Sequence, residues 1–492
     1  MPSLRRWIAL LALFSGSLLP AASEWFTPQR QLPGIGAGRS EMTPDLLAAR
    51  TDRMIQSQTF TIMRNPEALA GAERITGPRL ARIFSAAADQ SGWPASLISA
   101  VAYVESWGDA QAASPAGPRG IMQFSEATAR AAGLRIVRVT RIQVVAAHQL
   151  VRKKNGRSVY RTVHHKVPYT VTVRDDRLNP ERAAPAAARY LARLEIKFGG
   201  RDWAIFAYHC GEGCVSDLLP LTEAAVHHKQ PTVAEMFFAA NPAQHRELYE
   251  ALQREMQRDY SPTYWFRIRR AGQLLALYRE DPAAFRELAE EYQNPIHPER
   301  RAVDRLMIWL KSHDVFYRSP DDLRAAGSGL ARVLDDPKYF GFSLPEKGDG
   351  ADRELYLQDS PAAIGTLLYI AFETRRLFEE LNPKGELNPK GEPFVPLQVA
   401  ELVGTTDRPA EAGTLLVVPE FPEHSTGQVF DIDRSNLPRG ERECLNFILD
   451  DMGWDGYLGF IQVTGDTVHI GCSPSSREFF AGVFQEAAEL RP

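Results

Sequence analysis

From Pro78 to Glu105 the apolar residues recur three and four apart, and this spacing predicts helices. Leu80, Ile83, Phe84 and Ala87 share one face, and Pro94 stands where the first turn of a helix tolerates proline. In the helix that follows, Leu97, Val101 and Glu105 fall at i, i+4 and i+8, so a carboxyl group ends an apolar stripe. Partial burial there disfavours the charged form, which suits a group that must keep its proton near neutral pH. A Gly-, Pro- and Ser-rich connection then leads to Gly120-Ile121-Met122-Gln123, which reads as a loop feeding another helix. For an isolated Glu the plainer reading is a core helix ending exposed before Gly108.

The period changes between 134 and 178. Val151 to Val173 alternates as strands do, around Lys154-Asn155-Gly156, and Asn-Gly is a strong hairpin signal. The segment is rich in Arg and Lys. A solvated hairpin face explains this, and a lid or clamp over an anionic polymer is the functional alternative.

Helical spacing returns at Asn179, with Ala187, Tyr190, Leu191 and Leu194 on one face and Gly199-Gly200 as the stop. Further helices are expected from Asp202, from Thr232 to about Tyr278, from Pro282 to Tyr292 and around Leu306 to Leu310. The hexapeptide beginning at Glu380 repeats from Glu386 and reads as a loop expansion. Beyond it Leu415 to Val418, Gln428 to Ile432 and Tyr457 to Val463 are strand-like, with a helix from Glu441 to Met452. The shift from helical to mixed pattern places a domain boundary near residue 350. The expected segments are a lead-in over 24–77, a helical domain over 78–275 with the hairpin 134–178 inserted, a helical linker over 276–349, and a small α+β domain over 350–492.

With 44% hydrophobic and 24% charged residues, the 492-residue chain is ordinary globular material of several domains. Its net charge of -4 gives no case for nucleic acid as a partner. Arg5-Arg6, the apolar run Trp7 to Leu19 and Ala21-Ala22-Ser23 have the three zones of a secretory signal, so 1–23 is excluded from the fold. Export to the periplasm, with no stable membrane insertion after cleavage, is expected, and an oxidising compartment permits disulfides. Cys210 and Cys214 are near enough for a local bridge, leaving Cys444 and Cys472 as a second pair. Metal binding by Cys-x3-Cys is the less favoured alternative, since no second Cys/His pair lies nearby.

Glu105-Ser106, Ser114-Pro115-Ala116-Gly117, Gly120-Ile121-Met122-Gln123, Ala187-Ala188-Arg189-Tyr190-Leu191 and Ala207-Tyr208-His209-Cys210-Gly211 together resemble the ordered motif set of the soluble lytic transglycosylase family. The resemblance implies a mainly α, lysozyme-like domain. It also implies cleavage of the bond between N-acetylmuramic acid and N-acetylglucosamine in peptidoglycan, closing a 1,6-anhydro ring without water. Glu105 would be the sole acid and base and no cofactor would be needed, an exception to the two-carboxylate scheme of most glycosidases. By position, Ser106 would bond near Glu105 or the substrate acetamide, Met122 and Gln123 would line the sugar subsite, Tyr208 would hold the carboxyl or the acetamide, and Tyr264 would face the acid. The family usually has Asn-Ala where this chain has His209-Cys210. A goose-type lysozyme, which shares the fold and uses water, is the neighbouring reading, with Asp109 and Glu126 as its additional candidate carboxylates. A non-catalytic peptidoglycan-binding protein is the rival from another class.

A second resemblance covers about 395–475. Glu423-His424-Ser425-Thr426-Gly427-Gln428-Val429-Phe430-Asp431 and Asp466-Thr467-Val468-His469 are similar to the zinc-ligand segments of the D-Ala-D-Ala carboxypeptidase and dipeptidase family. It implies zinc on His424, Asp431 and His469, with a coordination position left for water. Residues seven apart on a straight strand point to opposite faces, so a turn at Gly427 is needed to unite His424 with Asp431. Asp466 stands where a glutamate base is expected, and Gly404 where an arginine is usual. Glu423 is a substitute acid to consider. An active peptidase and a metal-free binder of wall peptide both fit.

Overall fold

The computed structural model describes residues 25–32, 35, 42–152, 157–256, 261–293, 317–325, 329–334, 337–344, 353–382, 394–405 and 423–490. The secretory signal, the Asn155-Gly156 turn, the 306–310 helix, most of the hexapeptide duplication and the 415–418 strand lie outside them. Two compact units are present: Thr43–Arg301, and Met1–Met42 together with Ala302–Pro492. The described residues are mostly helical with a few small sheets, and none of their helices is long and apolar enough to cross a membrane.

The first unit is a helical assembly with one β-ribbon. Its helices are α1 (Pro44–Met63), α2 (Glu67–Thr76), α3 (Pro78–Ser91), α4 (Ala95–Ser106), α5 (Glu126–Ala131), α6 (Pro180–Phe198), α7 (Arg201–Cys210), α8 (Glu212–Val226), α9 (Val233–Ala239), α10 (Arg246–Met256), α11 (Tyr264–Glu280) and α12 (Pro282–Gln293). Local chemistry sets several ends. Ser125 caps α5, Asn179 caps α6 through the Glu181 amide, and left-handed Gly199 stops α6. Helix α4 is buried from Ile98 to Tyr103, packed against α3 and α11.

The 24–77 lead-in is divided between the units. Helices α1 and α2 belong to the first, where the buried Tyr103 hydroxyl donates to the Ala68 carbonyl at 2.8 Å. Residues 25–32 and 35 belong to the second: the Leu32 amide donates to the Tyr369 hydroxyl at 2.8 Å, and Arg30 pairs with Glu486 at 2.8 Å. Neither connection has a signal in the sequence pattern.

The ribbon consists of β1 (Ile136–Arg152) and β2 (Ser158–Asp175), antiparallel, with Val139 opposite Val171 and Leu150 opposite Tyr160. Its base is fastened by charge. Arg177 forks onto Asp175 at 2.7 and 2.9 Å, which holds that carboxyl below its usual range, and Asp176 takes Arg174 at 2.8 Å and the Arg135 amide at 3.0 Å.

In the second unit a five-stranded sheet has the order β3-β4-β5-β7-β6, with β3 Phe342–Ser343, β4 Leu397–Glu401, β5 Val429–Asp433, β6 Leu458–Thr464 and β7 Thr467–Cys472. Helix α13 (Pro361–Leu381), almost wholly buried, packs against α14 (Arg439–Trp454) and α15 (Arg477–Glu489). Cys210 and Cys214 are joined, with Cα atoms 5.8 Å apart. The expected Cys444–Cys472 bridge is not formed. Neither is disulfide-bonded, and both are buried in the core.

Candidate active site

Glu105 is carried by the last turn of α4. Trp107 then adopts φ 54° and Gly108 φ 75°, so the chain turns away at once and leaves the carboxyl at the helix end. Such a conformation is uncommon for a residue with a side chain and is held in place by its surroundings. Here Arg74 of α2 donates from Nε to the Trp107 carbonyl at 2.9 Å and pairs with Glu67 at 2.6 Å. The site thus draws on a helix that the sequence motifs do not reach.

The hydroxyl of Tyr264, the first residue of α11, donates to Oε1 of Glu105 at 2.7 Å. Burial, reinforced by the Glu105 charge, pushes that phenol well above its ordinary range, so it stays a donor. His209 lies flat on Tyr264, with ring centroids 4.4 Å apart and planes 5° from parallel. The imidazole thus braces the tyrosine that holds the Glu105 carboxyl.

The Gly120–Gln123 loop is fixed from two sides. Ser106 Oγ shares its one proton between the Ile121 carbonyl at 2.8 Å and the Ala102 carbonyl at 3.0 Å, and the Tyr208 hydroxyl donates to the Met122 carbonyl at 2.7 Å. These contacts bear on three of the residues expected at the site. Ser106 and Tyr208 spend their hydroxyls on backbone carbonyls, because those carbonyls are buried and need donors. The Met122 side chain is fully buried and does not line the cleft, and its backbone oxygen is what the site uses. Gln123, at φ 46°, folds its amide onto the Gly120 carbonyl at 2.9 Å and still lines the cleft.

Gly120 is required sterically. At φ 77°, a Cβ there would lie 1.8 Å from the Arg177 carbonyl oxygen. Arg177 also donates to the Phe124 carbonyl at 3.3 Å, so the base of the ribbon and the loop are built together.

Glu105, Ser106, Gln123, Tyr190, Tyr208 and His209 line a cleft of about 900 Å³, with Asp109 also on its wall. Glu126 is not among its lining residues and is ion-paired with Arg130 and Arg138, whose hydrogen bonds hold its carboxyl down to about 2. A carboxylate fixed in that way is unsuited to proton transfer near neutral pH.

In the second unit His424, Asp431 and His469 come together. Each offers one ligand atom, and these atoms lie within 4.8 Å of one another. His424 Nε2 is 3.1 Å, and His469 Nδ1 2.8 Å, from Asp431 Oδ1. His424 Nδ1 lies 3.0 Å from the Val429 carbonyl, which can only accept, so that nitrogen carries the proton. The opposite nitrogen then faces a carboxylate oxygen, an arrangement that calls for a proton or a cation between them. The donor set therefore fits a zinc ion. Gly427, at φ 61°, makes the turn that unites the pair, and a Cβ there would meet Leu330 at 2.6 Å.

Asp466 is not brought to this cluster. It sits in the β6–β7 turn, three residues from His469, with its side chain 58% exposed and 3.6 Å from Arg442. A carboxyl the sequence did not single out, Asp359, lies beside the Gly427 turn, and burial pushes it up to about 8. Its signal was invisible because Gln358–Asp359 is a two-residue strand far from the motif.

Residues 82–144 and 149–227 match the family model described as Transglycosylase SLT domain. Tyr264 lies beyond that match. A stretch of 132 residues is 37% identical to "Peptidoglycan transglycosylase gp16" of Escherichia phage T7, an alignment covering 27% of this chain and 8% of that relative. The family match takes in Glu105, Ser106, Gln123 and Tyr208, and both comparisons give a likeness to transglycosylases.

Proposed function

We propose that the chain is an exported, periplasmic lytic transglycosylase that cleaves the bond between N-acetylmuramic acid and N-acetylglucosamine and leaves a 1,6-anhydro product. The observation that carries this reading is the Tyr264–Glu105 hydrogen bond of 2.7 Å in a cleft whose loop is fixed by Ser106 and Tyr208. Tyr264 orients the Glu105 carboxyl through Oε1. Protonated Glu105 gives its proton to the glycosidic oxygen as that bond breaks. As carboxylate it then takes the proton of the sugar's own 6-hydroxyl, whose oxygen closes onto the anomeric carbon. The tyrosine donor favours the carboxylate that the second step needs.

A hydrogen bond to a charged group contributes about 1.5–3 kcal/mol, so Tyr264→Phe is expected to slow glycan cleavage by about 10- to 100-fold. Turnover of purified sacculi measures this, and an unchanged rate would remove Tyr264 from the mechanism. The hydrolytic alternative would draw on Asp109, which lines the cleft. Product mass separates the two, because hydrolysis adds one water.

For the second unit we propose zinc on His424, Asp431 and His469. The ion would supply Lewis-acid polarisation of a peptide carbonyl. Since Asp466 is turned to Arg442, the unit is read as binding stem peptide in preference to trimming it. Metal analysis of the full chain is expected to find about one zinc per chain, lost in His424→Ala. Equal metal content in both would end the assignment.

A further inference from the structure

The β1–β2 ribbon has no role in the cleft, yet its surface is unlike that of a solvated hairpin. A strand pair with one packed face alternates apolar and polar residues, whereas this ribbon is apolar on both faces and exposed on both. From Val137 to Leu150 every residue of β1 except half-buried Ala147 is exposed. On one face stand Ile142 (67% exposed), Val144 (61%) and the cross-strand pair Leu150 (56%) and Tyr160 (72%). The other face carries Val139, Val145, Val167 and Tyr169, all exposed. Isolated two-stranded hairpins are marginal in water, and exposed apolar area on this scale marks an interaction surface.

Charge selects the partner. Residues 136–174 contain nine Lys and Arg and no Asp or Glu. Arg141, Arg152, Arg161 and Lys166 are exposed along the ribbon, interleaved with the apolar side chains. A second copy of this chain would bring like charge against like charge, at a cost. A glycan strand offers little to Ile142, Val144 and Leu150, which can neither hydrogen-bond nor stack on sugars. An anionic lipid surface satisfies both properties. Basic groups meet the phosphates, aliphatic side chains enter the boundary between headgroups and chains, and Tyr160 suits the interface. Long Lys and Arg stems let the charge stay at the headgroups while neighbouring residues sink deeper.

We propose that the β1–β2 ribbon is a membrane-contacting arm that holds this protein on the surface of an anionic lipid bilayer. Seventeen residues of β1 extend roughly 55 Å at about 3.3 Å per residue, so the arm reaches well beyond its anchored base. This assignment is independent of the chemistry at Glu105.

The test is sedimentation of the full chain with vesicles of phosphatidylcholine containing phosphatidylglycerol, and with vesicles of phosphatidylcholine alone. Binding is expected to the anionic vesicles and to fall with added salt. The combined variant Arg141→Gln, Arg161→Gln, Lys166→Gln, and separately Ile142→Ser, Leu150→Ser, Tyr160→Ser, should each weaken it at least about tenfold. Unchanged thermal unfolding midpoints would show that both variants fold. Equal binding to neutral and anionic vesicles, variants that bind as well as the parent chain, or a ribbon-dependent interaction confined to sacculi or to self-association would each overturn the proposal.

Discussion

Replacing Glu105 by Gln is expected to lower release of glycan fragments from sacculi by a factor of about 10²–10⁴, the range general acid–base groups contribute. Gln keeps the size of the side chain, and its amide oxygen can still accept from the Tyr264 hydroxyl. The α4–α11 packing that carries both residues is untouched, so the unfolding midpoint should stay where it is. What is lost is the exchangeable proton, which both chemical steps require. A variant that unfolded earlier would make the loss uninformative, and one that cleaved at the parent rate would contradict the assignment.

The second large effect is on the loop. Gly120→Ala would place a Cβ 1.8 Å from the Arg177 carbonyl, a backbone atom that cannot rotate aside. Something must move, at a cost of about 3 kcal/mol or more. Gly133 is a suitable control: it also has positive φ, 85°, but a Cβ there would meet nothing within 4 Å. Gly133→Ala should cost only the conformational strain, about 1–2 kcal/mol. Thermal unfolding of the two variants should therefore separate clearly. The displaced Gly120 loop would also disturb the Ile121 and Met122 carbonyls that Ser106 and Tyr208 hold, so cleavage should fall as well. Equal midpoints for the two variants would mean that the loop does not need the close approach.

The sequence is informative about this site where the chemistry is local. Leu97, Val101 and Glu105 mark a helix with a carboxyl at its end, and α6 is delimited by the Asn179 side-chain cap and the left-handed backbone of Gly199. Cys210 and Cys214 are close enough in sequence to pair across a helical turn, as they do with Cα atoms 5.8 Å apart. Long-range contacts leave no such trace. Arg74 reaches the Trp107 carbonyl from 33 residues away, and nothing in its surroundings singles it out from other arginines. His209 stacked on Tyr264 joins helices α7 and α11, and motif position alone gave the imidazole no role.

In the second unit the resemblance leads to the His424, Asp431 and His469 cluster, and Asp466 stands outside it. A spacing of three suits neighbouring residues on a helix, whereas on β7 and its turn it carries Asp466 away toward Arg442. The Cys444–Cys472 pairing fails for a related reason. An even count of cysteines invites pairing by elimination, yet buried thiols also serve as ordinary core residues.

The central claim is that Glu105 alone drives a cleavage without added water. The most direct measurement is the mass of the fragments that the full chain releases from purified sacculi, with Glu105→Gln in parallel. The account predicts muramic acid ends one water lighter than hydrolysis would leave them, and none from the variant. Fragments carrying the added water, or the same fragments from the variant, would contradict it.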